Sequence, residues 1–534
     1  MSVRIDLASI ERRVVPLPVP DGRYDRVAGT TEKVLVTSHP VKGVRGSSPL
    51  GGDGDDRTLQ AITLATGKSE QLVDGISDFR LGADHTTLLY RAKDRLRVLA
   101  AGEKPSDASE PGRDSGWVDL DRVKVSVRPG AEWQQMYREA WRLQREQFWD
   151  LDMSSLDWDS VYEMYRPIVD RVGTRAELSD LLWEMQGELG TSHAYEQGGA
   201  YRKSPQYRQG FLGVDWDVDA SGGTFRIARI IDGDTWSPRD SSPLARPGLD
   251  VQAGDEVVAV NGIAVDLLRT PAALLVNQAE QEVELGVRRA DGPVRTLRVR
   301  PLASEQLARY REWVNANRAL VHERSDGRVG YLHVPDMQAW GFAEFHRGLL
   351  TEFDHEALVV DVRFNRGGHV SGLLLQRLAR RRLGYGFARW GQPEPYPDEA
   401  PRGPMVMLTN EAAGSDGDIV SHAFKQLGLG TLIGRRTWGG VVGIWPRHPL
   451  SDGTVTTQPE FAFAFDNVGW GVENYGTDPD IEVENRPQDY VKGVDQQLDR
   501  GIEEALAALE KSPAHAPVIL PRRSLAREPL PPAQ

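Results

Sequence analysis

The chain has no cysteine among its 534 residues. That absence removes disulfide scaffolds, thiolate metal sites, cysteine nucleophiles and thiol redox switching together, and it fits a reducing cytoplasm. Positive charge is also in deficit. The 64 basic and 78 acidic side chains leave a net charge of −14, a field that repels phosphate backbones and anionic membrane surfaces, so no nucleic acid partner is expected. No window approaches the ~18 uninterrupted apolar residues of a membrane span. The opening MSVRIDLASIERRVVPLPVP is broken by Arg4, Asp6, Glu11, Arg12 and Arg13, too charged for a signal sequence, and a cytoplasmic location is expected. Glycine and proline, at 54 and 33, fall short of a low-complexity composition. At roughly 150 residues per domain, the length predicts about three to four domains.

What is present changes character along the chain. VLVTSH from Val34, LQAITLATGKSEQLV from Leu59, DFRLGADHTTLLYRA from Asp78 and DRLRVLAA from Asp94 read as strands separated by turns. This rhythm is that of about two β-propeller blades, with a small β sandwich as the alternative. A Gly-, Pro-, Ser- and Asp-rich stretch from Gly102 to Gly116 reads as a linker. Helical spacing follows, with Trp133, Met136, Tyr137, Trp141 and Phe148 on a core face, and Thr174 with Glu177 forms a capping box at the head of a later helix. From about residue 206, short strands and Gly-rich turns return. The segment SSPLARPGLDVQAGDEVVAVNGIAV from Ser241 resembles the core of PDZ domains. GFLG at Gly210 to Gly213 is similar to the loop whose exposed N–H groups capture a peptide carboxylate in that fold. Beyond about residue 320, buried-strand runs (RVGYLHVP, EALVVDVRF, GPMVMLTN, GTLIGRR) alternate with helical segments, predicting an α/β core, and a Pro-rich tail reads as disordered.

Chemistry is suggested where strands give way to helices. In GPMVMLTNEAAGSDGDIVSHAFKQLG, Ser415 lies where a buried strand has ended and a helix begins, beside free N–H groups that suit a developing oxyanion. A plain helix cap, with Asp416 and Asp418 nearby, accounts for the same segment equally well. Gly367-Gly368, after the strand in VVDVRFNRGGHVSG, permits close backbone approach and a second oxyanion donor, whereas a phosphate loop is disfavoured because neither a Walker lysine nor GxGxxG occurs. Among 11 histidines, His193 in GTSHA is a candidate base, with His369 and His422 as rivals. Glu473 is a candidate orienting carboxylate, with Asp478 and Asp480 as alternatives. No HExxH spacing or dense His and carboxylate cluster appears, so no metal is expected.

In order, GTSHAYE, the PDZ-like segment, DVRFNRGG, NEAAGSDGDIVSHAFK, GRRTWGG and GVENYGTDPDIEVE resemble the C-terminal half of the tricorn protease family. The resemblance runs from about residue 30 to 510. It implies a multidomain α+β fold: partial propeller blades at 1–105, a linker at 106–125, a helical subdomain at 126–205, a PDZ domain at 206–305, a crotonase-like α/β catalytic domain at 306–511 and a disordered tail at 512–534. By the same resemblance Ser415 is the nucleophile and His193 the base, Ser192 and Glu473 orient the imidazole, and Gly368 and Asp416 supply the oxyanion N–H groups. It implies a cofactor-free serine peptidase acting on oligopeptides released by the proteasome or similar proteases, and a hexameric assembly. The family's first propeller is absent from this chain, and RRLGYGFARWG carries no acidic residue near Gly386, so a preference for basic side chains is not implied. Two other classes compete: a non-catalytic PDZ-type peptide-binding scaffold, and acyl-CoA chemistry, which a serine with a remote His and Glu disfavours.

Overall fold

A computed structural model describes residues 7–14, 16–17, 19–40, 56–234, 236–237, 239–522 and 524–527. The chain divides into two compact units, residues 1–129 and 130–534.

The described part of the first unit is built mainly of strands, with short 3-10 turns at Ile10–Arg12 and Leu120–Arg122. β1 (Arg23–Gly29), β2 (Lys33–His39), β3 (Arg57–Thr63) and β4 (Ser69–Ile76) form one antiparallel meander, and β5 (Asp78–Leu81), β6 (Thr87–Ala92) and β7 (Arg95–Ala100) form a second. Their inward residues Leu35, Leu59, Ile62, Ile76, Phe79, Leu88 and Tyr90 make one core. Part of the expected linker belongs to this unit, because Trp117 pairs with Arg97 as a further rung on β7, and the Arg97 guanidinium donates to the carbonyls of Ser115 and Ser106 at 2.7 Å each.

The second unit begins with three helices, α1 (Pro129–Gln147), α2 (Trp158–Val169) and α3 (Arg175–Gly187). Met136, Tyr137 and Trp141 pack against Trp158, Leu178, Leu182 and Met185, and the two indoles each donate to the other residue's carbonyl. Thr174 and Glu177 do form the capping box.

A five-strand antiparallel path follows in space: β8 (Val214–Asp219), β9 (Thr224–Ile230), β10 (Glu256–Val260), β11 (Val283–Arg288) and β12 (Val294–Val299), in the order β12-β11-β10-β9-β8. Asn261 and Gly262, both at positive φ, turn the hairpin that β10 opens. The GFLG loop differs from expectation. Gly210 and Phe211 donate their N–H groups to the carbonyls of Leu275 and Leu302 at 2.9 Å, so two donors read as exposed are consumed inside the domain.

The α/β part carries a parallel sheet, β13 (Val329–His333), β14 (Ala357–Asp361), β15 (Met405–Thr409), β16 (Gly430–Gly434) and β17 (Ile481–Glu482), in that spatial order. Every residue of β13, β14 and β15 is buried, as helices on both faces demand. Alternation divides the side chains between two cores. Leu358, Val360, Met405 and Met407 face α5 (Ala339–Glu352), α6 (Ser371–Leu378) and α7 (Asp416–Gln426), while Val359, Val406 and Leu408 face α4 (Gln306–Arg324) and α8 (Gln496–Lys511). After α8 the tail is first held in place: His515 donates its N–H to the Arg402 carbonyl at 2.8 Å, and its own carbonyl accepts from Tyr385 at 3.0 Å.

Candidate active site

Two loops leave the carboxyl ends of adjacent parallel strands, where ligands of open α/β sheets bind. The loop after β14 runs through Asn365 to Gly368, and the loop after β15 runs from Asn410 to Ser415. Two buried amides join them. The Asn410 side-chain oxygen accepts from the N–H of Phe364 at 2.9 Å, and Gly414 N–H reaches the Asn365 carbonyl at 3.0 Å. The Asn365 side chain in turn accepts from Gly367 N–H at 2.9 Å and donates to the Val334 carbonyl at 2.8 Å.

Ser415 stands at the N-cap of α7 with φ 57° and ψ −121°, a left-handed conformation that is strained for a residue with a side chain. Its hydroxyl makes no capping bond, so the plain-cap reading does not describe it. Gly367 allows the approach: a Cβ there would lie 2.5 Å from Ser415 Cβ. The Asp416 carboxylate is turned away and accepts from Ser371 N–H at 3.0 Å and from the Ser371 hydroxyl. Gly368 pairs with Met337 as a parallel bridge beside the serine turn.

His193 follows α3 in a segment docked onto the α/β part. Its backbone is also left-handed, φ 62°, and Thr457 Oγ1 donates to its carbonyl at 2.5 Å. The Glu473 carboxylate lies at the centre of five donors: Thr191 Oγ1 (2.9 Å), Ser192 N–H (2.6 Å), Ser192 Oγ (3.2 Å), Val441 N–H (2.7 Å) and Val442 N–H (3.1 Å). Ser192 Oγ is 2.9 Å from His193 Nδ1. An ionised carboxylate only accepts, so the single Ser192 proton goes to Glu473. Nδ1 must then donate to Ser192, which leaves the lone pair on Nε2. Burial holds the His193 pKa below its ordinary value, and the Glu473 charge partly opposes that shift.

No hydrogen bond joins His193 to Ser415 among the described residues; Trp438 spans the two. Its ring meets the imidazole edge-on at 5.3 Å between centroids, and it packs on Gly414, where an added Cβ would lie 2.9 Å from Trp438 Cε3. Ligand-free sites often hold such contacts open until substrate arrives. The rival residues are engaged elsewhere. His422 Nε2 lies 3.0 Å from Asn467 Oδ1 with its ring against Phe465, His369 stacks on Trp445, Asp478 accepts from Tyr475, and Asp480 pairs with Lys425.

One contributor was missed in the sequence. Asp418, fully buried, accepts from the N–H groups of Gly439 at 2.7 Å and Gly440 at 3.3 Å, and burial raises its pKa while polar neighbours, Thr437 and the Ser415 backbone among them, oppose the rise. It thereby ties the serine turn to the segment Thr437–Val442, which carries Trp438 and the two N–H groups on Glu473. The only sequence signal was its place in the first turn of α7, which also suits ordinary capping.

The family model "Peptidase family S41" matches residues 328–483, the stretch that carries the buried parallel sheet, the serine turn and Glu473. The models "Tricorn protease C1 domain" and "Tricorn protease PDZ domain" match residues 129–187 and 210–304. The chain belongs to the tricorn protease family. It is 47% identical over 525 residues to tricorn protease homolog 1 of Streptomyces coelicolor, covering 97% of this chain and 49% of that protein. It is 45% identical over 504 residues to the tricorn protease homolog of Saccharolobus solfataricus, covering 94% and 46%. A solved structure described as the crystal structure of the tricorn protease superposes with a TM-score of 0.82 at 38% identity, over 96% of this chain and 49% of that one. The chain thus spans about half the length of the curated relatives it matches. Among the described residues, no helix is long and apolar enough to cross a membrane.

Proposed function

We propose that this chain is a serine peptidase that hydrolyses oligopeptides in the cytoplasm, downstream of larger proteases, through an acyl-enzyme on Ser415. The observation that carries this reading is the chain of bonds from Glu473 through Ser192 to His193, which fixes the imidazole tautomer needed in a base. His193 Nε2 takes the Ser415 proton as the hydroxyl attacks the peptide carbonyl, then returns it to the leaving amine. The N–H groups of Gly368 and Asp416 hold the oxyanion, each contributing about 3–4 kcal/mol of transition-state stabilisation. Water then attacks the ester with His193 again as base. No cofactor enters this scheme. The working units are blades (1–105) with a linker (106–125), a helical subdomain (126–205), a PDZ domain (206–305), the catalytic domain (306–511) and a tail (512–534), assembled as a hexamer whose mass light scattering measures. The non-catalytic scaffold is not favoured, since it gives no role to the polar chain behind His193.

Ser415→Ala is expected to abolish both hydrolysis of short fluorogenic peptides and labelling by a serine-directed phosphonate while leaving the circular dichroism unchanged. Wild-type turnover in that variant ends the proposal.

A further inference from the structure

At the opposite end of the parallel sheet, three side chains converge that the catalytic scheme does not use. His322 lies in the last turn of α4, Glu352 ends α5, and His355 sits in the connection to β14. Their ligand atoms all lie within 4.8 Å of one another, and no other such group of three occurs among the described residues. The catalytic loops leave β14 at its carboxyl end. This cluster flanks the first residues of β13 and β14, where Val329 and Ala357 are in register. Five residues of strand separate the two ends, roughly 15 Å at about 3.3 Å per residue.

Glu352 is buried. Its Oε2 accepts from the N–H of Tyr331 at 3.1 Å, and lies 2.7 Å from His322 Nε2 and 3.5 Å from His355 Nε2. His355 Nδ1 is 2.7 Å from the Gly327 carbonyl. A carbonyl only accepts, so the Nδ1 proton is committed there, and in the neutral ring the Nε2 lone pair faces a carboxylate oxygen. Two acceptors face one another stably only with a cation between them. The 3.5 Å separation is long for a hydrogen bond from an imidazolium but close to the roughly 3.4 Å between donors around a tetrahedral ion with bonds of about 2.0–2.1 Å. The carbonyl behind His355 is also the kind of partner that orients a metal-binding imidazole. Gly330 makes room: a Cβ there would lie 3.0 Å from Glu352 Cβ and 3.1 Å from His355 Cδ2. Both rings are only half-buried, which leaves an entry path.

We propose that His322, Glu352 and His355 bind one divalent transition-metal ion of zinc type, which clips the ends of α4 and α5 to the edge of the sheet. Two imidazoles and one carboxylate suit Zn²⁺ or Co²⁺ rather than Ca²⁺ or Mg²⁺, and three protein ligands leave a fourth position for water. A small rearrangement is required, since the 2.7 Å pair must open by about 0.7 Å to reach that donor spacing. Sequence alone hides the site because 30 residues separate His322 from Glu352.

The test uses the untagged full chain, stripped with a chelator and titrated with ZnCl₂ by calorimetry and with CoCl₂ by visible absorption. One Zn²⁺ per chain is expected, with a tetrahedral Co²⁺ band that Zn²⁺ bleaches and a rise in melting temperature. His322→Gln and His355→Gln are each expected to weaken Zn²⁺ binding at least tenfold without changing phosphonate labelling at Ser415. Absence of Zn²⁺ binding, or wild-type Zn²⁺ affinity in either variant, overturns the proposal. Should either variant fail to fold, X-ray absorption on the Zn²⁺-loaded wild-type chain decides: two imidazoles with oxygen donors support the site, and any other shell overturns it.

Discussion

His193 shows how a single position is set by both backbone and field. A left-handed φ of 62° aims the ring, the Ser192 hydroxyl fixes its tautomer, and burial depresses its pKa while Glu473 pulls the other way. A base works only when neutral, so a depressed pKa extends activity toward acid. The midpoint of the acidic limb of kcat/KM is therefore expected below pH 6.5, the ordinary value, in assays on a fluorogenic peptide; a midpoint above 6.5 contradicts the burial argument. In Glu473→Gln the opposing charge is gone, so the limb moves further to acid while the rate falls because the imidazolium is no longer stabilised. His193→Ala is expected to lower kcat by at least about 10²-fold, whereas His422→Ala leaves the chemical step intact.

At the scale of elements, the loops of the proposed active site are held by buried polar groups at strand ends. Arg363, two residues past the end of β14 in the DVRFN run, pairs with Asp361 at 2.7 Å and with Asp495, the cap of α8, at 2.8 Å. Arg363→Ala leaves the fully buried Asp361 without its cation, and a loss of about 3–5 kcal/mol is expected in denaturant titration. Asp418 plays the corresponding part at the head of α7. Asp418→Asn places an amide against donors, so it is expected to lose about 1–3 kcal/mol of stability and, through the displaced serine turn and Trp438, to reduce kcat more than it raises KM. A purely structural role would lower the melting temperature and leave kcat per folded molecule unchanged.

For the whole molecule, every hydrogen bond that builds the serine turn and the imidazole chain lies within residues 130–534. A chain cut to residues 126–534 is therefore expected to retain phosphonate labelling at Ser415 at a rate within about twofold of the full chain, read by intact mass. Loss of labelling in a folded fragment means that the first unit completes the site.

Most strands, the amphipathic helices, the Thr174 box and the strand-to-helix position of Ser415 were legible locally, because period-2 and period-3.6 patterning and cap chemistry are properties of adjacent residues, whereas β1 (Arg23–Gly29) was not among the strands read. The order of motifs carried the family as well. Folding alone decided which acid stands behind the imidazole, since Glu473 lies 281 residues from Ser192 and differs from Asp478 and Asp480 only in what surrounds it. It likewise buried Asp418 beneath the serine turn, withdrew two N–H groups of the GFLG loop into internal pairing, and gathered His322 to Glu352 and His355. Each of these depends on contacts between distant segments, and a linear pattern holds no record of which distant carboxylate, carbonyl or imidazole the packed cores will bring within bonding distance.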